Sequence, residues 1–482
     1  MNSDQIKVGL DFGTHQTKIC VQRTPDEGHG EPYYEFFHFK NLDGKMSFFL
    51  PSVVQVNKDD TLSYGYVNPQ NEKHEIPIPL KEPVLFHDLN PKEEANRLLQ
   101  KYICDRDSNK NISALVKMLE IKRKKDLAKH QENIRKAEQR YEEEMLAYKN
   151  KRCLYRYFKQ ATFAERPWDK DIDCITLSIW YLSYVIFKLE EEYGTHFSIN
   201  MGVPADDVLY EKKRMLAVSI LASAYRLVEN VYQNDIEKFL KEKVDDLKKK
   251  TELVSYNPSL IDDYNMKVFP EAYASLITLT YKGKLTNGMN LTVDIGGGTT
   301  DITFFTVYKD ELKIFKYWSI PRGLNYIAES SGFDYSEGDF SSQCSNEVLE
   351  KYNNKKQEIV GILIKKLLSK IKTTGVYKDN LMASLKDRII VYAGGGSIYK
   401  SIANEIPYFS EVYKISSEMW KEETIADKKS VQDICFLLTI AYGLSLADEE
   451  SDVKLCSIES IFDHFCNSNE SPIDRYIDKE MV

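Results

Sequence analysis

A chain of 482 residues with 42% hydrophobic and 29% charged content is long enough for two or more cored domains and sits with ordinary globular proteins. A net charge of −9 argues against a dominant nucleic-acid surface, and no C-x-x-C among the eight cysteines points to zinc or a redox pair, so reduced cytoplasmic thiols are expected. No run of about 18 apolar residues predicts a membrane span, and the N-terminus enters a strand without a signal-peptide core.

Residues 6–10, 17–22, 33–39 and 48–56 read as strands, a meander around a first glycine-rich segment, VGLDFGTHQTKICV at 8–21. Residues 112–152 are charged throughout and contain neither Gly nor Pro; Leu127, Ile134, Tyr141 and Tyr148 recur every seven residues, with Ala137 and Met145 between them. That pattern predicts a long helix with a thin apolar seam. It fits a protruding arm that docks a partner, and equally a solvated helix lying on its own domain.

An apolar core helix is expected at 171–193, a buried strand ending in a turn at 197–206, and an amphipathic helix at 211–227. A charged helix at 232–250 would carry Ile236, Phe239, Leu240, Val244 and Leu247 on one face. FPEAYASLITL at 269–279 reads as a helix opened by Pro270, which suits a first helical turn. The second glycine segment, LTVDIGGGTTDITFF, comes next at 291–305. Residues 346–371 read as helical, 388–402 as a strand–glycine–helix unit, and 429–446 as an apolar helix before a short acidic tail.

A glycine-rich turn lets backbone N–H groups approach phosphate oxygens without a Cβ in the way. Thr14, Thr17, Thr299 and Thr300 would add hydroxyl donors. Asp11 and Asp294 stand at strand ends ahead of the glycines. Carboxylates beside phosphates repel unless a cation intervenes, so Asp11, Asp294 and Asp301 imply Mg²⁺ held mainly through water. In the third unit, Gly394, Gly395, Gly396 and Ser397 would let a flat adenosine lie on the backbone. His15 is a further candidate phosphate contact.

Taken together, DFGTHQTK, DIGGGTTD and YAGGGS resemble the two phosphate motifs and the adenosine motif of the superfamily of actin, heat-shock chaperones and sugar kinases. MGVPADD before the helix with Arg214, and LPSVVQVNKDDTLSYG at 50–65, are similar to segments of the DnaK-type chaperones. The resemblance implies an α/β fold of two lobes, each a ribonuclease-H-like domain. Lobe I would be 1–289 with helical insertions at about 112–152 (in subdomain IB) and 232–262. Lobe II would be 290–428 with subdomain IIB at about 326–387, and 429–482 a returning hinge helix with a tail.

It further implies ATP or ADP with Mg²⁺. Asp11 and Asp294 become magnesium-shell and water-orienting carboxylates. Gly13, Thr14, His15, Gly296, Gly297, Gly298, Thr299 and Thr300 become phosphate contacts, and Gly394, Gly395, Gly396 and Ser397 hold adenosine.

Two departures predict slow or absent hydrolysis. Pro69 stands where the chaperones have a phosphate-touching lysine, and the nearest lysine is Lys73. Phe269 stands where they have a glutamate, leaving Glu271 two positions late and turned roughly 200° away on a helix; in a different register Glu271 would still serve as the catalytic carboxylate. The leading expectation is a chaperone-like nucleotide switch or scaffold, its partners bound through 112–152 and 232–250. An actin-like filament-forming ATPase and a small-molecule kinase are the alternatives.

Overall fold

The computed structural model describes chiefly residues 5–25, 31–67, 154–163, 172–204, 210–254, 265–280, 288–308, 311–320, 389–404 and 428–448, with single positions and short stretches between. The chain divides into two units, residues 1–75 with 152–482, and residues 76–151. Of the second unit the described positions, Lys117 to Arg135, are helical, with an Arg135–Glu132 ion pair at 3.1 Å. The apolar seam expected there, Pro69 and Lys73 lie outside the described residues. Among the described residues no helix is long and apolar enough to cross a membrane.

The first unit holds two six-stranded sheets. In one, β1 (Gln5–Phe12) runs antiparallel to β2 (Gln16–Thr24) and parallel to β10 (Ser198–Val203). β3 (Tyr33–Phe36) lies antiparallel beyond β2, and β11 (Met266–Pro270) parallel beyond β10. In the other, β12 (Gly288–Ile295) runs antiparallel to β13 (Thr300–Tyr308) and parallel to β15 (Ile389–Ala393). β14 (Glu311–Ile320) and β16 (Glu411–Lys414) flank them in the same senses. The five-strand order and the directions are thus the same in both sheets, 3-2-1-10-11 against 14-13-12-15-16.

The expected strand at 33–39 is broken, and β4 (Phe39–Lys40) pairs instead with β5 (Met46–Ser47) as a hairpin. That at 48–56 divides into β6 (Leu50–Pro51), which pairs with β2, and β7 (Val54–Val56). β7 is central to a three-stranded sheet with β8 (Leu62–Tyr64) and β9 (Leu154–Tyr155). The segment after the last helix is more than a tail: β17 (Lys454–Leu455) adds to the edge of the second sheet beside β14.

Helix α1 is Phe158–Phe163, α2 Cys174–Tyr193 and α3 Tyr210–Arg226. The single helix expected at 232–250 is two, α4 (Ile236–Leu240) and α5 (Val244–Leu253). Asp235 caps the first, and the backbone between them is pulled toward the β7–β8 turn, where the Val244 amide donates to the Asp60 carbonyl at 2.9 Å. Phe239 and Leu247 are buried, and Phe239 stacks on Tyr64 at 5.3 Å and contacts Phe187 at 5.2 Å. The apolar side of this insertion therefore lies on its own unit, and what it leaves for a partner is its charged side.

Two helices join the sheets. α6 (Glu271–Thr280) and α7 (Cys435–Leu446) cross where a Cβ on Gly443 would stand 1.8 Å from the Ala274 carbonyl oxygen. Gly9 on β1 likewise admits α7, since a Cβ there would meet the Ala441 oxygen at 2.3 Å. Asn200 on β10 donates to the carbonyls of Leu444 and Ala447 at 2.8 and 2.7 Å, satisfying the helix end. One core cluster runs through both helices from Phe36 and Phe269 of the first sheet to Phe305 and Val391 of the second.

Candidate functional site

The glycine segments form two like hairpins. Asp11 faces Lys18 across β1–β2, and Asp294 faces Asp301 across β12–β13. The tips meet: a Cβ on Gly298 would stand 2.9 Å from Thr14 Cγ2 and 2.8 Å from Gln160 Oε1 of α1. Gly13 lacks room for a side chain, its Cβ position lying 2.2 Å from the Gln16 oxygen, and its carbonyl accepts from Ser52 Oγ at 2.7 Å. Behind the second tip, Leu324 donates its amide to the Gly296 carbonyl at 3.0 Å.

Four carboxylates and two ammonium groups gather here. Lys18 Nζ donates to Asp11 Oδ2 at 2.8 Å, with both side chains largely buried. Burial pushes the Lys18 ammonium toward neutrality, but the charge and hydrogen bond of Asp11, with Asp294 and Glu271 beyond, hold its pKa above the ordinary lysine value. Lys159, on α1 and 4% exposed, donates to Glu271 and lies 5.8 Å from the Phe12 ring centre. Burial raises the Glu271 pKa against the pull of Lys159, and Asp11 and Asp301 raise it further. Asp294 is pushed up to about 7 by burial and then by the charge of Asp301.

Of the two registers open for Glu271, the structure takes the one that brings it to the site. The strand β11 extends through Pro270, so the helix begins at Glu271 and not at Phe269. Phe269 is a core residue stacked on Tyr273 at 6.0 Å, whereas Glu271 is brought to Asp11 and Lys159. Two cations stand at the site, Lys18 beside Asp11 and Lys159 beside Glu271. Lys18 ends the DFGTHQTK string and was legible as the residue facing Asp11 in a two-strand hairpin. Lys159 and Gln160 had no sequence signal, since their approach depends on tertiary packing.

Two expected hydroxyl donors are not offered. Thr17 is fully buried, and Thr300 Oγ1 lies 2.5 Å from the Tyr352 hydroxyl inside the second sheet's core, because both already belong to the returning strand. Thr299 Oγ1 donates to Asp301 Oδ2 at 3.1 Å. His15 stacks on Tyr157, ring centres 5.8 Å apart.

The third glycine segment abuts the same site. Gly394 has φ +75°, and a Cβ there would stand 2.2 Å from Asp294 Oδ1. The next residues, Gly395–Ile398, form a single 3₁₀ turn rather than the expected helix, and Ser397 is buried.

Among the described residues no three His, Cys, Asp or Glu side chains stand close enough to ligate one ion directly. Four carboxylates against two ammonium groups nonetheless leave two formal negative charges. That donor set fits a divalent cation held through water, and does not fit a direct all-protein cage.

Fold and site define a mixed α/β protein in which two sheets of like topology each present an aspartate-bearing glycine hairpin to one polar site. No protein family model matches the chain, and no curated protein matches it. Among solved structures it is similar to MreB5 of Spiroplasma citri bound to ADP, at 11% identity over 93% of this chain and 97% of that one, with a TM-score of 0.38. A likeness at that level leaves the functional reading to the chain's own residues.

Proposed function

We propose that this chain is an actin-like nucleotide switch that binds ATP with Mg²⁺ between its two glycine hairpins and hydrolyses it. The observation that carries the reading is the meeting of two topologically equivalent Asp-bearing hairpins at Thr14 and Gly298, with Lys18 and Lys159 set among four carboxylates. Backbone amides of residues 13–15 and 296–299 would cradle the phosphates, and the Gly394–Ser397 turn would carry the adenosine. Asp11, Asp294 and Asp301 would hold the hydrated magnesium, which neutralises phosphate charge when bound. Lys18 and Lys159 would meet the developing negative charge of the transferred phosphoryl group. Glu271 would orient the attacking water once Lys159 turns from it toward phosphate.

These groups remove the reason for expecting little hydrolysis. The test is nucleotide binding and phosphate release by wild type, Asp294→Asn and Glu271→Gln. Asp294→Asn should lose magnesium-dependent ATP binding, and Glu271→Gln should bind ATP but release phosphate at least a hundredfold more slowly. ATP binding of wild-type strength by Asp294→Asn would refute the reading.

A second reading, an actin-like filament-forming ATPase, is favoured by the β4–β5 hairpin. Its Leu42, between the strands, and Met46, on β5, are 56% and 60% exposed, and apolar side chains exposed on one hairpin suit contact with another chain. Pelleting with ATP, compared between wild type and Leu42→Ser/Met46→Ser, separates it from a monomeric switch.

A further inference from the structure

Tyr157 adopts φ +60°, a left-handed backbone that disfavours a bulky side chain by roughly 1–2 kcal/mol. It is the residue that turns the chain from β9 into α1. Its carbonyl accepts the first helical hydrogen bond, from the Ala161 amide at 3.1 Å. Strain of this kind persists only where the surroundings enforce it. Here the enforcement is visible: the Tyr157 ring lies nearly parallel to that of His15, 10° between planes and 5.8 Å between centres. His15 is itself pinned, for its carbonyl accepts the Ser52 amide at 2.9 Å, and the Ser52 hydroxyl holds the Gly13 carbonyl. The first glycine hairpin thus fixes the entry to α1.

That entry decides which side chains α1 presents. Phe158 is fully buried, 6.0 Å from Phe12 and 5.5 Å from Tyr181, and acts as the pivot. The next two residues are Lys159, which reaches Glu271, and Gln160, whose Oε1 stands against Gly298. A different backbone at Tyr157 would rotate the start of α1 and carry both side chains off the site.

We propose that Tyr157, locked by the His15 ring, is a positioning residue that aims Lys159 and Gln160 at the phosphate end of the site. The role assigned to the two aimed side chains rests on the nucleotide reading above; the lock itself does not.

The experiment measures the rate at which Lys159 is acetylated by an amine-reactive ester in the full-length protein, resolved by mass spectrometry against the exposed Lys241. His15→Ala and Tyr157→Ala, which remove one ring of the stack while residue 157 still resists the left-handed backbone, should each raise the Lys159 rate at least fivefold relative to Lys241. His15→Phe, which keeps a flat ring, should stay within twofold of wild type. In parallel, the ratio of ATP to ADP affinity should fall at least fivefold in Tyr157→Ala and recover in Tyr157→Phe, which keeps the ring stacked on His15. Lys159 labelling within twofold of wild type in His15→Ala and Tyr157→Ala overturns the proposal, as does a His15→Phe variant that labels like His15→Ala. A wild type that binds neither nucleotide overturns the nucleotide reading instead, and the labelling still decides the lock.

Discussion

Lys18 donates to Asp11 Oδ2 at 2.8 Å across the last rungs of one hairpin, while the equivalent rung of the other hairpin sets Asp294 against Asp301. The two hairpins are alike in backbone and differ in charge at this rung. One side is balanced within itself, and the other carries two carboxylates side by side. The site is therefore polarised before any ligand arrives, with its surplus negative charge on the second hairpin.

Removing the cation of the balanced rung should be costly. Lys18→Met leaves Asp11 buried without its ammonium partner, and breaking one half of a buried pair destabilises by about 3–5 kcal/mol. The double variant Asp11→Asn/Lys18→Met should regain a large part of that loss. Urea unfolding of the three proteins at pH 7 measures both steps; equal stability of the single and double variants would show that the pair does not act as a unit.

The acidic rung should make stability fall with rising pH. Asp294 stands at about 7 in the folded chain against an ordinary value of 3.8, so folding favours its protonated form. Its contribution is fully present below about pH 4 and is lost as pH rises through about 7. That difference is worth about 4 kcal/mol. Asp294→Asn should flatten the decline in urea midpoint between pH 5 and 8 and be the more stable protein at pH 8. Asp301→Asn removes one of the charges that raise Asp294, and should shift the decline to lower pH rather than abolish it.

How far the sequence reached is set by what each feature depends on. The hairpins were legible because strand, aspartate, glycine and returning strand are contiguous, so Asp11, Asp294 and the glycines could be named from local pattern alone. Thr17 and Thr300 were misjudged because strand alternation turns them inward, and the tight turn hid where the returning strand begins. Glu271 was misplaced by the helix boundary: Pro270 suits a first helical turn, yet it ends the strand pairing with Val203 and leaves Glu271 to open the helix. Lys159 was invisible, lying more than a hundred residues from the carboxylate it meets.

The helical insertion α4–α5 should behave as core rather than as a free arm. Phe239→Ala removes a ring packed on Tyr64, Phe187 and Tyr232, and should cost about 3–5 kcal/mol. Lys241→Ala, on the same insertion but exposed, should change stability by less than about 0.5 kcal/mol. Chemical denaturation of the two variants distinguishes a packed insertion from one that only touches the domain.

Neighbouring glycines of the third segment should respond in opposite ways to one methyl group. A Cβ at Gly394 would stand 2.2 Å from Asp294 Oδ1 and 2.6 Å from the Ile295 oxygen, at a φ of +75° that alanine resists. Either the carboxylate or the backbone must move, and both belong to the site. At Gly395 the nearest atoms, Leu324 Cδ1 and Leu437 Cδ2, stand 3.5 Å away, an ordinary contact, and the backbone is not left-handed. Gly394→Ala should therefore lower stability by about 1–3 kcal/mol and, by displacing Asp294, weaken magnesium-dependent nucleotide binding at least tenfold. Gly395→Ala should leave stability within about 0.5 kcal/mol. Thermal unfolding with and without magnesium nucleotide reads both effects in one series. A Gly394→Ala protein that binds like wild type would mean that Asp294 need not stay where this glycine holds it.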